Sequence, residues 1–369
     1  MGTTSEEIWN NYKNDQHYIS KHDFSGSEAF AAFLPSEIKE KLTKLKQDEP
    51  RFKDLDQSVL YAIYASREAM KQAGWRKGAD IGINIGSSRG ATQLFEKHHR
   101  QFVETQKVNV LASPSTTLGN ISSWVAQDLQ SSGPEISHSV TCSTGLHAVL
   151  NGVVWLQSGF ADRFIVGGSE AALTPFTIAQ MKAMKIYATK ESEYPCMALN
   201  LEKSYNSMVL GEGAGSLCIS NEKENSIVKI TGIGYATEKL KHSVSITANA
   251  TCFQRSMKMA IGNKNLEEID AIVMHAPGTV KGDMAEINAI KTLFGEGYPA
   301  VTSNKWKIGH TFGASGILSL ELAVLMLQHN KFIEVPFSKI SKAPKRLQNI
   351  LVNAVGFGGN AVSILISKN

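Results

Sequence analysis

Short apolar runs that end on glycine and pass into a stretch of helical spacing recur along the chain, and this alternation constrains its fold more than any other feature. Residues 80–85 (DIGINI) read as a buried strand closed by the turn Gly86-Ser87-Ser88-Arg89-Gly90. Residues 54–74 before them place Leu55, Val59, Ala62, Ile63, Ser66, Ala69 and Met70 on one helical face and stop at Gly74. Strands are expected at 136–141, 163–167 and 214–219, with a helix over 143–159. From about residue 226 the pattern restarts, with strands at 227–236, 269–274, 299–303 and 361–367 and helices near 251–263, 283–294 and 314–329. Strands and helices in alternation favour an α/β fold in which helices cover the sheets. The similar order of elements suggests two halves, 1–222 and 223–369, although no residue-level repeat supports a duplication.

A chain of 369 residues with 42% hydrophobic and 20% charged residues has enough apolar surface for a large core. Thirty-eight basic and 34 acidic residues give a net charge of +4 without long runs of one sign, so nucleic-acid binding has no support from composition. Cys142, Cys196, Cys218 and Cys252 lie far apart and lack both CxxC pairing and metal-ligand spacing, which argues against a disulfide framework and against a bound metal. The polar N-terminus and the absence of a window near the ~20 apolar residues a bilayer requires make no membrane span and a cytoplasmic location the expectation.

Cys142 stands between an apolar strand and a helix N-terminus, where the helix dipole favours a thiolate and free amides can receive a developing oxyanion. A lone cysteine of this kind is more often an inert core residue. Three other segments shift that balance. Residues 274–279 (MHAPGT) put His275 at a strand end, 303–310 (SNKWKIGH) carry Lys305 and His310 in a turn, and 355–360 (VGFGGN) offer glycines that admit a close backbone approach.

Together these segments resemble the β-ketoacyl-acyl carrier protein synthases of the thiolase superfamily, in their elongating, two-histidine form, from about residue 5 onward. Residues 114–120 (PSTTLGN), Gly133-Pro134, 141–145 (TCSTG), 167–170 (GGSE) and 210–215 (LGEGAG) extend the likeness. The resemblance implies a thiolase-like duplicated five-layer α-β-α-β-α fold, assembled as a homodimer or as a heterodimer with a related subunit. It implies that Cys142 carries the acyl chain and that the Cys142 and Phe357 amides form the oxyanion hole. His275 and His310 would hold the malonyl carbonyl during loss of carbon dioxide, with Lys305 supporting the second histidine electrostatically. Phe357 resembles the gate between malonyl site and acyl pocket, and Thr279 a pantetheine contact. Arg51, Lys53 and Lys182 fall where relatives meet an acidic acyl carrier protein. No cofactor of its own is implied, since the substrates ride on the phosphopantetheine of a separate carrier.

The chain also departs from the family. His275-Ala276-Pro277-Gly278-Thr279 replaces the usual His-Gly-Thr-Gly-Thr, which removes one hydroxyl and stiffens the loop. Ser319 stands where a glutamate is common, the nearest being Glu321, which puts a structural ion or hydrogen-bond network there in doubt. Residues 5–12 resemble what normally follows a first β-strand, so that strand is expected to be lacking, through a misplaced start or a real loss that bares a sheet edge. The leading expectation is a condensing enzyme of fatty acid, polyketide or aryl-polyene-like synthesis. The alternative is a non-condensing partner that sets chain length in a heterodimer, although such subunits typically lack the nucleophile. A reversible thiolase is disfavoured, because no cysteine lies beyond Cys252.

Overall fold

The computed structural model describes residues 1–118, 120–239, 246–338, 340 and 343–369. Its strands in chain order are β1 (Ser20–Asp23), β2 (Glu28–Ala32), β3 (Gly82–Gly86), β4 (Glu135–Ile136), β5 (Arg163–Glu170) and β6 (Leu210–Gly211). They continue with β7 (Gly213–Ser220), β8 (Val228–Thr237), β9 (Ala271–Val273), β10 (Ala300–Thr302), β11 (Asn349–Gly356) and β12 (Asn360–Lys368). Two large sheets have the orders β4-β3-β5-β7 and β10-β9-β11-β12-β8, and a small one joins β1, β2 and β6. In each large sheet the first three strands run parallel and the fourth antiparallel, so the second sheet repeats the first and adds β8.

Three apolar layers hold the sheets and helices together. Helices Gln57–Ala73 and Asn120–Leu129 bury Val59, Ile63, Ile121 and Val125 against Ile83, Ile85 and Ile165 of the first sheet. Helices Thr144–Gln157 and Ser315–His329 lie between the sheets, where Leu146, Val149, Leu322 and Met326 meet Phe164 and Val166 on one side and Val352 and Ile364 on the other. Helices Thr251–Ile261 and Val280–Phe294 close the far side with Phe253, Met257, Ile287 and Ile290. The result is the duplicated five-layer α-β-α-β-α arrangement. Local signals set the ends of these helices: Asp56 accepts the Ser58 amide at 2.9 Å at the start of Gln57–Ala73, and Gly74 ends it at φ 67°. The stretch Phe312–His329 is long and apolar enough to cross a membrane, but 72% of it is buried, as befits a core helix apolar on all sides.

The small sheet of β1, β2 and β6 was not expected, and in the large sheets two further strands differ from the sequence-based expectation. Residues 136–141 pair only at Glu135–Ile136, because side chains take over beyond that point: Ser137 Oγ accepts the Ser122 amide at 3.1 Å and Thr144 Oγ1 accepts the Val140 amide at 2.9 Å. Strand β11 was not expected at all, although it lies at the centre of the second sheet. Within 114–120, Gly119 lies outside the described residues.

Candidate active site

Cys142 lies in the turn that enters helix Thr144–Gln157. Thr141 before it adopts φ 49°, and the Ser143 hydroxyl donates to the Val140 carbonyl at 2.9 Å, so the turn is held from within. Small residues let the second central helix reach this point. A Cβ on Gly145 would lie 2.9 Å from the Gly313 carbonyl and from the Ile317 amide, so the N-termini of both central helices converge beside Cys142.

His310 is brought in by the small sheet. Its amide donates to the Val209 carbonyl and its carbonyl accepts the Gly211 amide at 3.1 Å, an approach possible only because residue 211 has no side chain to strike the Ile308 carbonyl. The Phe312 amide donates to His310 Nδ1 at 3.2 Å. Nδ1 is therefore the unprotonated nitrogen and Nε2 carries the hydrogen.

His275 follows β9, and its backbone is clamped. The Glu286 carboxylate accepts the His275 amide at 3.0 Å and the Ala276 amide at 2.9 Å, and Asn353 of β11 donates to the same carboxylate at 3.1 Å. Ala276 takes φ 27°, where glycine is unstrained and alanine is not. The His275 and His310 rings lie 5.3 Å apart, edge to face, and His275 Nδ1 is buried without a partner among the described residues.

Lys305 is buried behind them. Its ammonium reaches only neutral oxygens, Asn304 Oδ1 and Ser319 Oγ, each at 3.3 Å, and no carboxylate lies within ion-pair distance among the described residues. Burial lowers Lys305 to about 8. Burial first, then the Lys305 charge, holds His310 down at about 3, while burial, His310 and Lys305 keep His275 well below its ordinary value. Both imidazoles are neutral donors at physiological pH.

Cys142, His275 and His310 line one cavity of about 540 Å³, together with Thr279, Phe312 and Phe357. Phe357 is at the tip of the β11–β12 hairpin, 39% exposed, and its carbonyl accepts the Thr141 hydroxyl at 3.4 Å. The Thr279 hydroxyl caps helix Val280–Phe294 by accepting the Gly282 amide at 3.1 Å, which leaves its own hydrogen free to donate. Met181, Met184 and Met208, which cluster with Cys142, give this cavity an apolar stretch of wall.

The thiol differs from the expectation of a favoured thiolate. Burial pushes Cys142 up to about 12, Glu170 acts in the same direction, and the opposing pull of Lys305 is smaller. A desolvated sulfur outweighs the helix dipole, whose effect is at most ~2 kcal/mol. Glu170 is itself fully buried, accepts the Gly313 amide at 3.1 Å, and is raised to about 7 by burial.

The three basic residues of the expected carrier surface are spread over different surroundings. Arg51 lies 3.4 Å from Asp128 and 3.3 Å from Glu49, Lys182 donates to Ser27 Oγ at 2.8 Å and to the Glu28 carbonyl at 2.7 Å, and Lys53 is exposed. The cavity carries two other exposed lysines, Lys185 and Lys281, that sequence reading passed over. Glu286 was passed over too, though its place three residues after Asp283 on a helix facing the His275 loop was a usable signal.

The fold and this cavity define a duplicated α/β protein in which a thiol from one half faces two imidazoles from the other. The chain belongs to the β-ketoacyl synthase family: residues 2–225 match the family's N-terminal domain and residues 228–336 its C-terminal domain. It is 27% identical to 3-oxoacyl-[acyl-carrier-protein] synthase 2 of Staphylococcus aureus (strain COL), over 100% of this chain and 95% of the relative. The enzyme of the same name from Coxiella burnetii is 25% identical over 95% of this chain and 90% of its own. Among solved structures, the ishigamide ketosynthase/chain length factor superposes with a TM-score of 0.86 at 19% identity, covering 100% of this chain and 96% of that one. A β-ketoacyl synthase from Burkholderia phymatum STM815 superposes with a TM-score of 0.83 at 20% identity, again over 100% and 96%.

Proposed function

We propose that the protein condenses a malonyl thioester with an acyl chain held on Cys142, releasing carbon dioxide. The observation that carries this reading is the convergence of the Cys142 thiol and the neutral His275 and His310 rings on one cavity. In the first step Cys142 attacks the acyl thioester, its oxyanion facing the amides of Cys142 and Phe357, and the carrier thiol leaves with the proton from sulfur. In the second, the malonyl carboxylate departs as carbon dioxide, and the electron pair left behind becomes an enolate whose oxygen accepts hydrogen bonds from the imidazoles. Such donors gain strength only as that charge develops, so they lower the barrier more than they tighten ground-state binding. The enolate carbon attacks the acyl-cysteine carbonyl, and the departing sulfur takes a proton to restore the thiol.

Lys305 acts through its charge, not as a nucleophile, and adds to burial in keeping both rings neutral. Phe357 gates the acyl pocket, and Thr279 donates to the pantetheine arm. The substrates arrive on the phosphopantetheine of a separate acyl carrier protein in the cytoplasm, with Arg51, Lys53 and Lys182 as its docking charges and no bound cofactor of the enzyme's own. The type II polyketide carrier seen in complex with its ketosynthase, which superposes on this chain with a TM-score of 0.85, supports that partner. The nucleophile half spans 1–222 and the histidine half 223–369, supported by the boundary between the two family matches, which falls between 225 and 228. The assembly is a homodimer or a heterodimer with a related subunit.

Incubation with acyl-carrier and malonyl-carrier thioesters tests the reading. Ketoacyl product that disappears in Cys142→Ala is expected, and no product from intact protein overturns condensation by this chain alone. The superposition on the ishigamide ketosynthase/chain length factor supports, as a second reading, a chain-length-setting subunit. That reading requires a homologous subunit to restore product even beside the Cys142→Ala chain.

A further inference from the structure

Two lysines leave the short helix Lys305–Ile308 in the turn that leads to His310, and both are buried. Lys305 meets the catalytic cavity's surroundings, whereas Lys307 meets a segment almost 300 positions earlier in the chain. The Lys307 ammonium donates to the backbone carbonyls of Asn11 at 2.8 Å, Asn14 at 2.7 Å and Gln16 at 2.6 Å, and Asn14 Oδ1 is a fourth oxygen at 3.2 Å. An ammonium carries three hydrogens, so three carbonyls at these distances engage all of its donors. Among the described residues no carboxylate lies within ion-pair distance of it.

The segment is shaped to receive a cation. Asn11 belongs to the last turn of helix Ser5–Tyr12, where the final carbonyls have no amide partner within the helix and form the negative end of its dipole. That turn has no basic residue of its own, and Lys307 supplies the charge. The chain then returns to the same place: the Tyr18 amide donates to the Lys307 carbonyl at 2.8 Å. Trp306, between the two lysines, packs edge to face on Tyr194 and Phe337, and the Lys307 ammonium lies 4.8 Å from its ring centroid. Residues 11–18 thus grip the turn through its side chain and its backbone at once.

We infer that the Asn11, Asn14 and Gln16 carbonyls form a cage for a primary ammonium ion, filled in this chain by Lys307, and that the filled cage positions the turn carrying Lys305 and His310. Three converging carbonyls match the three hydrogens of a primary ammonium, while a quaternary ammonium has no N–H to offer them. Lys307 is a positioning residue in this arrangement, since it acts on the reaction only through its neighbours. The effect on turnover rests on the condensing reading of the cavity; the cage and its hold on the turn do not.

The test uses the intact protein. Lys307→Ala removes three carbons and a nitrogen, the skeleton of propylammonium. The variant is expected to lose at least about 5 °C in Tm and to regain at least about half of it at saturating propylammonium. Tetramethylammonium should give no such gain, and propylammonium none in the parent or in Lys307→Met, whose side chain fills the space. Hydrogen exchange of the His310 amide should quicken at least about tenfold relative to the amides of β5 in both variants, and return toward the parent's rate with propylammonium in Lys307→Ala alone. With carrier thioesters, turnover by Lys307→Ala should fall at least about tenfold while KM stays within about threefold. A Tm gain equal for propylammonium and tetramethylammonium overturns the cage. His310 exchange in Lys307→Met equal to the parent's overturns the positioning, and this comparison decides it even where Lys307→Ala does not fold. A parent without turnover removes the condensing reading, and the exchange and Tm results still decide this one.

Discussion

Replacing Lys305 by methionine separates what the buried charge does for function from what it costs the fold. The side chain lies 1% exposed with only two neutral oxygens in reach, and burial lowers it from 10.5 to about 8. A displacement of that size corresponds to about 3 kcal/mol by which the folded state disfavours the ammonium. The folded value lies below the unfolded one, so below pH 8 both states are protonated and the whole penalty is present. As pH rises from about 8 toward 10.5 the folded lysine loses its proton while the unfolded one keeps it, and the native state gains stability. Lys305→Met conserves volume and leaves Asn304 Oδ1 with the Ser319 hydroxyl at 3.3 Å. At pH 7 the variant is expected to be about 1–3 kcal/mol more stable in urea unfolding, less than the full penalty because two hydrogen bonds are lost. The gap should narrow by pH 9, Lys307 being common to both proteins. Condensation by the variant is expected to fall at least about tenfold, as in other sites where a charge costly to the fold serves the chemistry. A variant less stable than the parent at pH 7, or a gap independent of pH, refutes the argument.

Three further outcomes follow from the same geometry. With its thiol near 12, unacylated Cys142 should react slowly with iodoacetamide at pH 7 and about tenfold faster per pH unit up to 9, read by intact mass; a plateau below pH 9 contradicts the burial argument. Lys203→Met should cost about 3–5 kcal/mol in urea unfolding, because Lys203 pairs with Asp283 at 2.6 Å where both are buried, and its removal strands a carboxylate. Ala276→Gly should relieve the positive φ and shift stability by no more than about 1 kcal/mol upward, part of the gain being lost to the unfolded chain's freedom; a clear loss of Tm refutes the strain at φ 27°.

Cys142, His275, Lys305 and His310 were legible because each stands at a strand end or turn with glycines nearby, a local pattern that survives in one dimension. Their convergence was not local: it needs Gly145, Gly211 and Gly313 to let three backbone segments touch, and nothing in a linear sequence says which segments those are. The thiol shows the same limit more sharply. Helix position argues for a thiolate, but the proton affinity of Cys142 is decided by how many atoms from distant elements exclude water from it. Strand β11 escaped notice because the run ILVNAV flows directly into the glycine loop that drew attention, and its eight-residue pairing with β12 is a tertiary fact. The departure at Ser319 was readable, and so was its neighbourhood, but its consequence was not. Only the fold shows that the lysine it faces has no carboxylate within ion-pair distance among the described residues, so that the positive charge beside both imidazoles is itself lost as pH rises past about 8. If condensation depends on that charge, activity declines on the alkaline side through about pH 8, and a pH–rate profile flat from pH 7 to 9 contradicts the argument.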